Sequence, residues 1–201
     1  MNRRLGVLIS GRGSNLQALV DATREGRLDA TIAVVISDRA DAPGLGHARR
    51  AGIEALCLDH RAASSRDEHD GSVARELKDR DVGLVCLAGY MRFVGAPLLE
   101  AFPDAILNIH PSLLPAFPGI DAPRQALEHG VKVTGVSVHF VTAQLDNGPI
   151  VIQRTVPVVH GDTPDTLSAR ILVEEHRAYA EAVGTVLKGG WRIEGRRFIG
   201  H

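Results

Sequence analysis

The chain has 201 residues, 44% of them hydrophobic and 23% charged, which is typical of one compact domain. Its 23 lysines and arginines nearly match its 24 aspartates and glutamates, giving a formal net charge of -1 at pH 7. This balance argues against a protein that binds nucleic acid or a membrane through its overall charge, so we expect neither as a partner.

The two cysteines, Cys57 and Cys86, are too few for a disulfide scaffold. Apolar residues flank both, so we expect two buried free thiols in a reducing compartment. The apolar run near the start of the chain is shorter than the hydrophobic region of a signal peptide, and no run reaches the roughly 18 apolar residues of a membrane span. These features predict a soluble cytoplasmic protein.

Short runs rich in valine and isoleucine alternate with longer amphipathic segments, a pattern typical of a mostly parallel α/β sheet. The first five predicted strands lack clean polar and apolar alternation, as expected for strands covered on both faces. We therefore predict an open, twisted, mostly parallel sheet of about seven strands with helices on both faces. The predicted strands are Leu5–Ser10, Thr31–Ser37, Glu54–Leu58, Gly83–Ala88, Ala105–His110, Val133–Val141 and Ile150–Val156.

Helices are predicted between these strands from capping and glycine signals. No repeat or low-complexity linker interrupts the pattern, so residues 1–201 are predicted to form a single domain. The tail Trp191–Ile199 predicts a short edge strand. The predicted helices are Asn15 to Arg24, Gly44 to Ala51, one opened by Ser65 and Glu68 that runs to about Arg80, and one capped by Thr163 with Pro164 that runs to about Leu187.

The first predicted strand runs into a glycine-containing turn, residues 10–15, at the start of the first predicted helix. Free backbone N–H groups and the positive end of the helix dipole suit such a turn to an anion. Leu16 stands where the dinucleotide-binding fingerprint has its third glycine, and the Gly-Lys-Ser/Thr of a P-loop is absent. The turn therefore favours a phosphate monoester, with a purely structural strand-to-helix turn as the alternative.

Asn108 and His110 lie two residues apart on the fifth predicted strand, so their side chains share one face near its carboxyl end. Ligands of open α/β sheets bind at this edge. An amide can donate to a carbonyl oxygen that gains negative charge, and an imidazole can exchange a proton near neutral pH. The pair is a candidate for catalysis; the alternative is that both residues only bond the backbone of the stiff, proline-rich loop His110–Gly119.

Asp146 lies in a predicted turn between the last two long strands, where aspartates usually bond their own backbone. It gains a functional interpretation only in combination with other residues. His139 is predicted to pack within its alternating strand, and Arg66 to be solvated unless an anion lies nearby. The remaining histidines follow no metal-ligand spacing, so we predict no metal site.

Five segments together resemble the phosphoribosylglycinamide formyltransferases, folate-dependent enzymes of purine synthesis. The Asn-x-His, Ser-Leu-Leu-Pro and Asp-x-Gly-Pro elements are typical of the wider formyltransferase superfamily, and the Gly-Ser-Asn turn narrows the resemblance to this family. The segments are ISGRGSNLQAL at Ile9–Leu19, ISDRADAPGLGHAR at Ile36–Arg49, LAGYMR at Leu87–Arg92, ILNIHPSLLPAFPG at Ile106–Gly119, and VTGVSVHFVTAQLDNGPIVIQ at Val133–Gln153.

The resemblance implies a formyltransferase fold with a Rossmann-like, phosphate-binding half, residues 1–100, and a folate-binding and catalytic half, residues 101–201. It implies that Gly13, Ser14 and Asn15 hold the substrate phosphate, and that Glu175 contacts the ribosyl-glycinamide part. The implied folate pocket is lined by Arg66, Met91, Arg92, Phe93, Val94, Asn108, Val141, Thr142, Ala143, Gln144, Leu145 and Asp146.

The implied reaction transfers the formyl group of the co-substrate 10-formyltetrahydrofolate to the amine of 5′-phosphoribosylglycinamide, without a metal. Asn108, His110 and Asp146 are the implied catalytic residues. Asn108 would donate to the oxyanion, and His110, as imidazolium, would relay a proton to the leaving nitrogen. Asp146 would stabilise that cation by Coulomb attraction.

Three other functions share parts of this pattern. Methionyl-tRNA formyltransferase needs a further C-terminal domain and a basic surface, and formyltetrahydrofolate hydrolase usually carries an N-terminal regulatory domain. A non-catalytic sensor of a phosphorylated metabolite would leave the catalytic set without a shared purpose. A homodimer and a cis Leu114–Pro115 bond stay open, and Asn147, which replaces a glycine usual in the family, tolerates left-handed backbone angles.

Overall fold

The computed structural model describes residues 2–200, within which nine strands form one sheet. The strands are β1 (Arg4–Ile9), β2 (Thr31–Ser37), β3 (Ala55–Cys57), β4 (Leu84–Leu87), β5 (Ile106–His110), β6 (Val133–Phe140), β7 (Ile150–Pro157), β8 (Arg192–Glu194) and β9 (Arg197–Ile199). Their order across the sheet is β3-β2-β1-β4-β5-β6-β7-β9-β8. The strands beyond the predicted seven are a hairpin in the tail, where the sequence predicts one edge strand.

The sheet changes character along its width. Strands β3, β2, β1, β4 and β5 are parallel, whereas β6 and β7 continue it in antiparallel pairs. Strand β9 pairs in parallel with β7, and β8 closes the edge as the antiparallel partner of β9. The prediction of a mostly parallel α/β sheet is confirmed, because the buried apolar runs of the first half form its parallel centre.

Helices flank this sheet and connect its parallel strands. Over residues 2–200 the α-helices are α1 (Ser14–Arg24), α2 (Pro43–Arg50), α3 (Arg66–Lys78), α4 (Ala96–Ala101), α5 (Ala122–Glu128) and α6 (Pro164–Lys188), and one 3-10 turn covers His60–Ala62. Ser65 and Thr163 cap α3 and α6 as predicted. Helices α4 and α5 escape sequence prediction, because six and seven residues are too few to show an apolar period. No helix of the described chain is both long and apolar enough to cross a membrane.

Strand order reverses beside β1, with β2 on one side and β4 on the other. The chain segments that leave β1 and β4 therefore border a crevice, the place where open α/β sheets bind ligands. Helix α6 packs on α1 and on β5, β6 and β7, so it reaches from the parallel to the antiparallel part of the sheet. Inside the core, the Tyr179 hydroxyl lies 2.9 Å from the Leu87 carbonyl oxygen and 3.2 Å from that of Leu107.

The two cysteines differ in environment. Cys86 lies in the central strand β4, and complete burial raises the pKa of its thiol to about 12. Cys57 is exposed, so the prediction that both thiols are buried is wrong for this residue. The reason is topological, because β3 is an edge strand of three residues with a single neighbour.

Candidate functional site

The turn between β1 and α1 depends on glycine at position 13. Gly13, the N-cap of α1, has a φ of 76°, a left-handed conformation that is costly for other residues. A Cβ atom there would also lie 2.7 Å from the Gly44 Cα atom, because the Gly44 N–H donates to the Gly11 carbonyl oxygen at 3.0 Å. Within residues 2–200 no side chain caps α1, so its first-turn N–H groups are left for another acceptor.

Asn15 and Glu175 meet beside this turn, although 160 positions separate them in the chain. The Asn15 amide donates to Glu175 Oε2 at 2.8 Å across the packed pair α1 and α6. Burial raises the pKa of the Glu175 carboxyl, and the hydrogen bond from Asn15 partly opposes the shift. Asn15 Oδ1 is buried without a partner among the described residues. The structure thus brings together the residues that the resemblance assigns to the ribonucleotide.

A cavity of about 620 Å³ opens at this point. Its walls combine the turn between β1 and α1, the segment after β4 and the end of β5, as expected for a site at the reversal of strand order. The residues that line the cavity include Ser10, Gly11, Arg12, Gly13, Ser14, Asn15, Met91, Arg92, Ile109, Pro111 and Glu175.

Ser10 joins the turn to the segment after β4. Its N–H donates to the Gly89 carbonyl oxygen at 3.0 Å, and its Oγ accepts from the Met91 N–H at 2.9 Å. Beyond Met91, the Arg66 guanidinium lies 5.1 Å from the centre of the Phe93 ring. Of the residues predicted to line the folate pocket, Met91 and Arg92 line this cavity, Arg66 packs on Phe93, and Val94 is buried.

The three residues of the predicted catalytic set converge on one point. His110 Nδ1 lies 3.5 Å from Asp146 Oδ2, and the side chains of both residues are nearly buried. His139 links Asn108 to this pair. The Asn108 Nδ2 atom lies 3.2 Å from His139 Nε2, and His139 Nε2 lies 3.7 Å from Asp146 Oδ1. Ile109 and Pro111 line the cavity. Because successive side chains of a strand point to opposite faces, Asn108 and His110 lie on the other face of β5. The cluster and the cavity are therefore neighbours at the end of this strand.

His139 is the member of this cluster that the sequence did not reveal. It packs in β6 as predicted, directly opposite Asn108, but its ring also contacts Asn108 and Asp146. His139 Nδ1 lies 2.9 Å from the Phe140 carbonyl oxygen, and burial lowers the pKa of the imidazole. The neutral ring then accepts from the Asn108 amide and fixes its orientation. The sequence does contain a signal for this role, because the polar residues Ser137 and His139 share one face of an otherwise apolar strand.

The proline-rich loop holds both His110 and Asp146 in place. His110 Nε2 lies 2.8 Å from the Phe117 carbonyl oxygen, and the Gly119 N–H donates to Asp146 Oδ2 at 2.7 Å. Ser137 anchors the start of the loop by donating to the Ser112 carbonyl oxygen at 2.7 Å. The loop is thus fixed by bonds at both ends, and Leu114–Pro115 is cis.

The segment before Asp146 faces solvent. Val141 and Thr142 are half-buried, Ala143 and Gln144 are exposed, and Leu145 is 61% exposed. Over residues 2–200, no group of three or more His, Cys, Asp or Glu side chains is positioned to hold a metal ion.

Residues 3–183 match the family model described as formyl transferase. The phosphoribosylglycinamide formyltransferase of Escherichia coli is 43% identical over 94% of this chain and 87% of its own length. A solved structure of glycinamide ribonucleotide transformylase 1 from Symbiobacterium toebii is 60% identical, with a TM-score of 0.98 over 99% of this chain and 94% of that one.

Human trifunctional purine biosynthetic protein adenosine-3 is 47% identical over 92% of this chain. The match covers only 18% of the length of the human protein. The similarity to the bacterial proteins, by contrast, covers most of both chains. The chain therefore belongs to the phosphoribosylglycinamide formyltransferase family.

Proposed function

We propose that the protein transfers the formyl group of 10-formyltetrahydrofolate to the amine of 5′-phosphoribosylglycinamide, giving the N-formyl product and tetrahydrofolate in purine biosynthesis. The observation that carries this proposal is the convergence of Asn108, His110 and Asp146 next to a cavity that begins at an uncapped helix N-terminus. An anion seat and a proton-transfer cluster are the two parts that this reaction needs.

In this proposal the ribonucleotide occupies the cavity. Its phosphate lies against the N–H groups of Gly13, Ser14 and Asn15, where the helix dipole favours negative charge. Glu175, at the other wall, accepts from hydroxyl or amide groups of the ribosyl-glycinamide part. The unpartnered Asn15 Oδ1 supplies a further acceptor, which supports a polar ligand at this point.

The folate occupies the other side of the cluster. Its polar ring edge would bond backbone groups of the segment after β4, and its carboxylates would approach Arg66 and Arg92. Exposed apolar side chains, including Met91 at 76% exposure and Leu145 at 61%, offer cover for an aromatic ligand. The proposed contact residues are Arg66, Met91, Arg92, Phe93, Val94, Asn108 and the segment Val141–Asp146.

The chemistry asks little of the nucleophile. An α-amino group has a reference pKa of about 7.7–8.0, so roughly a tenth is neutral at pH 7 and needs no strong base. The amine nitrogen bonds the formyl carbon, the carbonyl oxygen becomes an oxyanion, and the bond from carbon to the folate nitrogen then breaks. One proton leaves the new amide nitrogen and one reaches the departing folate nitrogen, so the charges balance.

The cluster supplies the oxyanion stabilisation and the proton path. His139 holds one N–H of the Asn108 amide, which leaves the second N–H to donate to the oxyanion. In this mechanism His110 acts as the imidazolium, with Asp146 beside its Nδ1 atom. Its Nε2–H, which faces the Phe117 carbonyl oxygen in the structure, donates instead to the reacting oxygen or to the leaving nitrogen. We further propose a cytoplasmic location and no resident metal, the folate being a co-substrate.

The direct test is the absorbance change as 10-formyltetrahydrofolate is consumed, with and without glycinamide ribonucleotide. Consumption that requires the ribonucleotide, together with the N-formyl product by mass spectrometry, is the expected result. Consumption without ribonucleotide would indicate a hydrolase instead. No consumption under either condition, with ribonucleotide binding intact, would indicate a sensor.

A further inference from the structure

We propose that Asp70 is a positioning residue for the folate, acting through the backbone of the segment Met91–Gly95. The inference rests on the proposed function, which gives residues 91–94 to the folate pocket. Asp70 lies in the middle of α3, outside every residue set discussed above, and its side chain is completely buried. A buried carboxylate in a helix facing a ligand-binding segment calls for a reason.

Asp70 holds the end of that segment. Its Oδ2 atom accepts from the Gly95 N–H at 2.6 Å, across 25 positions of sequence. Gly95 directly follows Val94 and is the N-cap of α4, and within the described residues no side chain of its own turn caps this helix. The carboxylate therefore supplies the capping acceptor from a different helix and fixes where the segment ends.

The carboxylate is itself held in place. His69 Nδ1 lies 3.4 Å from Asp70 Oδ1, and His69 Nε2 lies 3.0 Å from the Leu58 carbonyl oxygen beyond β3. Both residues are buried, and the ring lies between the Asp70 carboxylate and the loop that follows the edge strand. This arrangement limits the movement of the carboxylate and, through it, of the Gly95 N–H.

Gly95 fits this contact because it lacks a side chain. Its φ is -89°, which any residue adopts, so the backbone conformation does not demand glycine. A Cβ atom at this position, however, would lie 2.9 Å from Asp70 Oδ2. The same Cβ atom would lie 3.2 Å from Asp67 Oδ1, so glycine leaves space here for two carboxylates, that of Asp70 being the nearer.

The segment is thus fixed at both ends while its middle stays accessible. Ser10 Oγ holds the Met91 N–H and Asp70 holds the Gly95 N–H, yet Met91 is 76% and Phe93 39% exposed. One helical turn before Asp70, Arg66 packs over Phe93. A ligand recognised by backbone groups needs those groups held in advance, and buried side-chain acceptors at the two ends provide this.

The test compares Gly95→Ala, Asp70→Ala and Asp70→Asn, with Asp79→Ala, an exposed carboxylate at the end of the same helix, as the matched control. We expect Gly95→Ala and Asp70→Ala each to raise the KM for formyltetrahydrofolate about tenfold, the size expected for a hydrogen bond to a charged group. The KM for the ribonucleotide should stay within about twofold. Asp70→Asn keeps an acceptor oxygen and should restore most of the folate affinity.

A double variant, Asp70→Ala with Gly95→Ala, separates positioning from general loss of stability. Asp70→Ala removes the contact that the added Cβ atom of Gly95→Ala disturbs, so the double variant should bind folate no more weakly than Asp70→Ala alone. Calorimetric titration with tetrahydrofolate gives the same comparison without turnover, so the inference is testable even if ribonucleotide-dependent transfer is not observed. Equal rises in both KM values, or an unchanged folate KM in folded variants, would overturn it.

Discussion

The turn that begins α1 and the cluster around His110 are built in different ways. The turn is a contiguous stretch, and its shape follows from a left-handed Gly13 and the start of a helix. The cluster joins β5, β6 and two loops, with Asn108 and His139 lying 31 positions apart. The turn is therefore formed by local backbone conformation, whereas the cluster is formed by buried polar groups that come together from distant parts of the chain.

This difference has consequences for how each region responds to change. In the turn, the binding groups are backbone N–H groups, so the side chains matter mainly where they would distort the backbone. In the cluster, each side chain is a partner of another, so removing one leaves a buried polar group unsatisfied. Substitutions should therefore affect turnover in the cluster and ribonucleotide binding in the turn.

The largest effect is expected for Asn108→Ala. Loss of an oxyanion donor typically costs about 2.7–4 kcal/mol of transition-state stabilisation, or about a hundredfold to a thousandfold in kcat. Steady-state assays should show this loss in kcat with little change in the KM for the ribonucleotide. A kcat within threefold of the wild type would contradict the proposed role of the amide.

Asp146→Asn should slow turnover by about tenfold to a hundredfold, the size expected when a close opposite charge is removed from a reacting group. The variant keeps an oxygen that can accept from the Gly119 N–H, so the loop should stay in place. Asp165→Asn, in the exposed first turn of α6, is the control and should retain full activity. Equal kcat values for the two variants would argue against a catalytic Asp146.

Gly13→Ala tests the turn. A non-glycine residue in a left-handed conformation costs about 1–3 kcal/mol, and the contact with Gly44 adds to it. We expect the KM for the ribonucleotide to rise about tenfold and the melting temperature to fall, with the folate KM little changed. Gly184→Ala, inside α6, where a Cβ atom meets Leu28 at an ordinary 3.7 Å, should leave both KM values near wild type and should not lower the melting temperature.

The smallest effect is expected for Glu175→Gln, and it depends on pH. The pKa of Glu175 is raised from 4.5 in the folded chain because burial disfavours its charged form. The carboxylate therefore lowers the free energy of unfolding as pH rises above 4.5, the unfolded value, through the folded pKa.

Glutamine removes this dependence and can still accept from Asn15. Urea unfolding at several pH values should show the variant losing less stability than the wild type between pH 4.5 and neutrality. The KM for the ribonucleotide should rise severalfold in the same variant. Parallel stability curves for the two proteins would contradict a buried, perturbed carboxyl.

Elements with a strong local signal could be predicted from the sequence. The buried apolar runs identified β1, β2, β4 and β5, and the caps at Ser65 and Thr163 marked two helix starts. The failures were of a different kind. Helices α4 and α5 are too short to show a period, and the exposure of Cys57 depends on β3 being an edge strand.

The sequence by itself determined the α/β class, the anion-suited turn at residues 10–15, and the shared face of Asn108 and His110, because each follows from spacing along one segment. Only the tertiary structure decided that Asp146 faces His110, that His139 orients Asn108, and that Asp70 holds Gly95. These contacts depend on strand order, register and loop paths. Such features are set by the packing of the whole core, and no local pattern encodes them.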